Sequence, residues 1–99
     1  MNASETIFQQ EVQKLKNRFL DKIVKQIKES PFFTNRLKKY VNRDLLFRDE
    51  NCNSFLKVNL DLYKQYIKKN ENGYNKVVLQ IIKELECDLE KFDNKNHHH

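Results

Sequence analysis

Between Thr6 and Glu29, six apolar residues recur at steps of three and four: Phe8, Val12, Leu15, Phe19, Ile23 and Ile27. That period places them on one side of a helix. No glycine or proline interrupts the segment. A chain built this way must bury a long apolar stripe, and its other elements must supply the matching surface. The whole sequence holds one glycine, Gly73, and one proline, Pro31. Sandwiches and barrels need many turns, and turns lean on those two residues. The expected class is therefore mainly α.

The first helix is read over residues 5–29, with Ser4 placed to cap it. Ser30-Pro31 breaks it, because the residue before proline is pushed out of helical backbone. A second helix follows over 32–46, with Phe33, Leu37, Val41 and Leu45 as its stripe. Residues 48–54 are polar and read as a loop, with Ser54 a cap for what comes next. In 55–62, Leu56, Val58, Leu60 and Leu62 alternate with polar residues, which is the period of a strand. Over 55–69 a helical arc also works, taking in Phe55, Leu56, Leu60, Leu62, Tyr63, Tyr66 and Ile67. A strand there could pair only with residues 44–48, and a lone hairpin is marginal in water. The helix is preferred. Asn70 to Gly73 has the composition of a turn. The last helix is read over 74–92, where Val78, Ile82, Leu85, Leu89 and Phe92 keep the cleanest period in the chain. The expected architecture is a small bundle of about four helices, with an α+β fold carrying a short hairpin at 44–62 as the alternative. A length of 99 residues suits one domain. It is read as residues 1–96, with His97, His98 and His99 as purification-tag residues outside any metal argument.

The net charge of +5 is uneven: residues 1–48 carry +6 and residues 49–99 carry −1. Lys14, Arg18, Lys22 and Lys25 repeat at helical steps opposite the apolar stripe of the first helix. Arg36, Lys38, Lys39 and Arg43 extend this basic face if the second helix lies beside the first. Such a stripe can track a nucleic-acid backbone, where each neutralised phosphate releases counterions, and Tyr40 could stack on a base. The bland alternative is a solvated face, with Glu11 and Asp21 pairing with Lys14 and Lys25 at helical spacing. The two halves of the chain could also neutralise each other. Lysine outnumbers arginine fifteen to four and asparagine occurs twelve times. That bias resembles an AT-rich genome and weakens any reading of a single lysine.

No catalytic constellation is visible. Glycine-rich phosphate loops, Gly-x-Ser-x-Gly and His-Glu-x-x-His are missing. Asp49-x-Asn51-x-Asn53 resembles the start of a calcium loop, but Ser54 stands where glycine is needed and Leu60 where the bidentate glutamate belongs. Cys87 lies among Glu84, Glu86, Asp88 and Glu90, whereas a reactive thiolate needs cationic neighbours. Cys52 has no partner at metal-ligand spacing. Asp44, Asp49 and Glu50 could serve acid–base chemistry only in a cleft that shifts their pKa. The expectation is a protein that is not an enzyme and has no cofactor or metal.

The two cysteines, the lack of an apolar leader and the lack of a membrane-length apolar run lead to an expected intracellular location, without a membrane. That means the cytoplasm, or the host-cell interior for a viral source. Phe32, Tyr40 and Phe47 fall off the packing stripes, and surplus apolar surface marks contact with a partner or with a second copy. The leading expectation is a small interaction or regulatory module acting through protein–protein contact, with self-association as one form of that contact. The alternative is nucleic-acid binding through the basic face.

Overall fold

The computed structural model describes residues 3–69 and 76–96. Five helices follow one another: α1 (Ala3–Glu29), α2 (Asn35–Tyr40), α3 (Leu45–Arg48), α4 (Glu50–Lys69) and α5 (Lys76–Asn96). No strand occurs among the described residues. The mainly α bundle stands, and the hairpin alternative falls, because residues 50–69 form one continuous helix. The turn read at Asn70–Gly73, the start at Tyr74 and the three terminal histidines lie outside the described residues.

The core is built from the expected stripes. Val12, Leu20, Ile23 and Ile27 of α1 meet Leu56, Leu60 and Ile67 of α4 and Ile81, Ile82, Leu85 and Leu89 of α5. Two ring pairs join the layers. Phe19 meets Tyr63 with ring centres 5.5 Å apart, and Phe33 meets Phe55 edge-on at 5.6 Å. Aromatic pairs favour such tilted geometries over face-to-face stacking.

The helix expected at 32–46 is divided. Thr34 Oγ1 accepts the Leu37 N–H at 3.2 Å and starts α2. The helix stops after Tyr40, and Val41 is extended (φ −62°, ψ 134°) and buried. Asn42 Oδ1 then accepts the Leu45 N–H at 2.8 Å, opening the single turn of α3. A short amide side chain that bonds nearby backbone competes with helix continuation, and a β-branched valine suits extended backbone. The stripe Phe33, Leu37, Val41, Leu45 is therefore divided among the turn before α2, the two short helices and the extended link between them.

The loop expected at 48–54 is mostly helix. Asp49 has extended backbone (ψ 127°), and its Oδ2 accepts the Cys52 N–H at 2.9 Å. That is the geometry of an aspartate N-cap. Ser54 does not cap. It lies inside α4 and its hydroxyl donates to the Glu50 carbonyl at 3.1 Å. Ser4, likewise, lies inside α1. The early start carries Cys52 and Asn53 into the interior, where the Asn53 amide donates to the Phe47 carbonyl at 3.3 Å. Asp49→Ala is expected to cost about 1 kcal/mol, read as a lower urea midpoint at unchanged slope. An unchanged midpoint would show the cap to be idle.

Ion pairs tie α5 to α1 and to α4. Lys16 Nζ lies 3.3 Å from Glu84 and 3.4 Å from Asp88. Lys57 donates to both oxygens of Asp93 at 2.7 and 2.8 Å, and Lys64 donates to Glu86 at 2.9 Å. The acidic face of α5 is thus met by lysines of α1 and α4.

Candidate functional site

Residues 30–40 lie across the first half of α4 and leave a groove of about 770 Å³ between them. Phe32, Phe33, Leu37 and Tyr40 form one wall, and Phe55 and Val58 form the other. Pro31 and the Thr34 cap hold residues 31–33 out of helical backbone, and the Phe32 N–H donates to Ser30 Oγ at 3.1 Å. This turn presents the Phe32 ring to solvent, where the residue is 93% exposed. Beyond the groove the apolar track continues along α4. Val58 and Leu62 are each 57% exposed and Tyr66 is 64% exposed. These three residues are spaced four apart, so they share one outward stripe.

Of the expected contact residues, Phe32 and Tyr40 line the groove, and Tyr40 is 61% exposed. Phe47 is elsewhere: it is half-buried and packs against the core. Single-turn α3 directs it inward, a position that a continuous helix over 32–46 would not have given it. Val58, Leu62 and Tyr66 are the contact candidates that sequence reading missed. For Leu62 and Tyr66 the sign was present, because the apolar arc read over 55–69 is too wide for one helix to bury against its neighbours; Val58 fell outside that arc.

The basic face is divided as well. Lys14, Arg18, Lys22 and Lys25 are exposed and form no ion pair among the described residues. Asp21 does not take Lys25. It takes Arg43 in a two-point bond, with Nε to Oδ1 at 2.6 Å and Nη2 to Oδ2 at 2.7 Å. This bond holds the Asp21 carboxyl below its ordinary range and the Arg43 guanidinium above its own. Arg43 is therefore a clasp between the link after α2 and α1. Lys38 is half-buried, and the Lys39 ammonium lies 5.6 Å from the centre of the Tyr40 ring. Arg36 is exposed at the groove.

The carboxylates named for acid–base chemistry are dispersed. Asp44 bonds Arg48 at 3.0 Å at the surface, Asp49 caps α4, and Glu50 is exposed. No group of three histidine, cysteine, aspartate or glutamate side chains is placed to hold a metal among the described residues. No helix among them is long and apolar enough to cross a membrane.

The two thiols differ sharply. Cys87 is exposed, whereas Cys52 is buried and its pKa is pushed up to about 12 by burial and by the nearby charge of Asp49. In native protein at mildly alkaline pH, a chromogenic disulfide reagent is expected to titrate Cys87 alone. Cys52 should react only once denaturant is added. Rapid reaction of both thiols without denaturant would place Cys52 outside the core.

The chain matches no protein-family model, no curated protein and no solved structure.

Proposed function

We propose that this protein is a non-catalytic interaction module. It docks a protein through the groove between residues 30–40 and α4 and through the outward stripe of α4. The carrying observation is the continuity of exposed apolar residues from Phe32 through Val58 to Leu62. A ring as exposed as Phe32 gains little from the monomer. Clustered exposed apolar surface of this kind marks contact sites, and the anchors of such sites are often aromatic.

A photo-crosslinking residue placed at Phe32 or Leu62 in source cells tests this. Adducts are expected from both positions and not from Lys91, an exposed position on α5. The adducts should vanish when Val58→Asp is added. Equal yield from all three positions, or none from positions 32 and 62, would overturn the reading.

A second reading rests on a separate observation. Four of the five acids of α5 are spent on Lys16, Lys57 and Lys64, and the cation stripe of α1 forms no ion pair among the described residues. Lys14, Arg18 and Lys22 rise about 6 Å per step along the helix. This spacing supports contact with a nucleic-acid backbone. Binding of a labelled DNA oligomer is expected to weaken steeply with salt, and Lys14→Glu with Arg18→Glu should remove about two charges from the salt slope. An unchanged slope removes the idea.

A further inference from the structure

We infer that the occupant of the groove and stripe is an amphipathic helix with an acidic flank. The inference rests on the docking reading above and names the partner's chemistry.

The surface has the shape for a helix. From Phe55 to Tyr66 the stripe runs along α4 for about 16 Å, or three helical turns. Phe55, Val58, Leu62 and Tyr66 succeed one another at steps of three, four and four, with the Phe32 and Tyr40 rings beside the first two. A partner helix that lays down apolar residues at similar steps meets such a track with one face.

Cations outnumber acids around the track. Arg36 lines the groove, Lys39 lies over the Tyr40 ring, and Lys69 falls on the same outward arc about one turn beyond Tyr66. One acid, Asp49, also lines the groove, and it keeps its charge while capping α4 through the Cys52 N–H. Asp61 lies on the other edge of α4, in the cleft toward α5 with Glu86 and Glu90. A helix lying in the groove therefore meets cations along the edge formed by α2. Opposite charge there favours acidic flanking residues and disfavours basic ones.

A second copy of the chain is a poorer match. Glu84, Glu86, Asp88 and Asp93 of α5 are held by lysines of the same chain. Ile7, the large exposed apolar residue of α1, stands alone on its helix. On α5, Leu79 lines a second apolar cleft against α4 with Ile67 and Ile82, but Lys68 and Lys83 there outnumber Glu90, the one lining acid without an ion pair among the described residues, so a second copy offers no acidic flank from that face.

Three synthetic helical peptides of about 16 residues test the inference, long enough to span the track. All carry the same leucine face, and their flanks are glutamate, lysine or glutamine. Each is titrated into the full chain and followed by amide chemical shifts. The glutamate peptide should bind about tenfold more tightly than the lysine peptide at low salt, with the gap closing as salt rises. Shifts should centre on Phe32, Val58 and Leu62. Arg36→Glu with Lys39→Glu should reverse the order of the glutamate and lysine peptides, and Leu62→Asp should weaken all three.

Equal binding of the glutamate and lysine peptides, binding by none of the three, or shifts centred on the cleft between α4 and α5 would overturn the inference. So would a dimer in sedimentation that Leu62→Asp disperses, because the surface would then belong to a second copy. If adducts form at positions 32 and 62 while the peptides show no preference for acid, the docking reading survives and the acidic partner falls. If no adducts form there, the docking reading itself falls.

Discussion

Leu56→Ala is expected to lower the unfolding free energy by about 3 kcal/mol, within the range for leucine truncation in a packed core. Leu62→Ala, six residues along, should change it by less than about 0.5 kcal/mol. Leu56 is fully buried between the other helices, whereas Leu62 is 57% exposed. The contrast is large because a domain of this size holds only about 5–15 kcal/mol in total. Denaturant unfolding of the two variants measures it directly. The pair also tests the backbone. In a strand, Leu56, Val58, Leu60 and Leu62 would share one face and the two truncations would cost similar amounts. In α4, Leu56 and Leu60 point into the bundle while Val58 and Leu62 point out. Equal costs would remove the helix, and with it the outward stripe on which docking depends.

Lys16→Met is expected to destabilise the native protein by about 1–2 kcal/mol at neutral pH, between the values for exposed and buried ion pairs. Methionine keeps most of the volume but removes the charge. Lys16 is only 15% exposed, and its ammonium lies between Glu84 and Asp88, one helical turn apart on α5. Without the cation, two carboxylates face each other at a spacing where like charges repel.

The effect depends on pH with a definite sign. Hydrogen bonds from the Gln80 amide and the Lys16 ammonium hold the Glu84 carboxyl below its ordinary value of 4.5, against the opposing effect of burial. A depressed carboxyl adds stability that is present above its unfolded pKa and is lost as pH falls through the folded one. The stability curves of wild type and Lys16→Met should therefore run apart above about pH 5 and converge on acidification below it. A constant gap down to low pH would show that packing of the lysine stem, not its charge, is what Met fails to replace.

The helical class, the first and last helices and most of their buried residues were legible from periodicity. Val12, Ile23, Ile27, Ile82, Leu85 and Leu89 all enter the core as their spacing requires. The failures concern residues whose role depends on a single side-chain bond. Asn42 was read inside the helix over 32–46 and Asp49 inside a loop, yet Asn42 follows the break in that helix and opens α3, and Asp49 caps α4. Neither periodicity nor composition says which nearby backbone group a short polar side chain will bond. Phe47 was read as a contact residue because the break at Val41 was not foreseen, and that break turns it against the core. Lys16 stands four residues after Val12 and three before Phe19, inside the apolar arc of α1, and that placement was legible. Its partners were not, because only the packing of α5 brings Glu84 and Asp88 to it.

A helical repeat is a local property. It follows from steric preference and from the side on which apolar residues recur, so the chain alone specified the long helices and which edge of α1 and α5 turns inward. Neighbours decided the rest. The broad apolar arc of α4 could have faced either way, and the placement of α1, α2 and α5 buried Leu56 while leaving Leu62 in water. The same placement spent four acids of α5 on three lysines and joined Arg43 to Asp21. Contacts across tens of residues depend on where separate helices come to rest, and a short-range repeat carries no record of that.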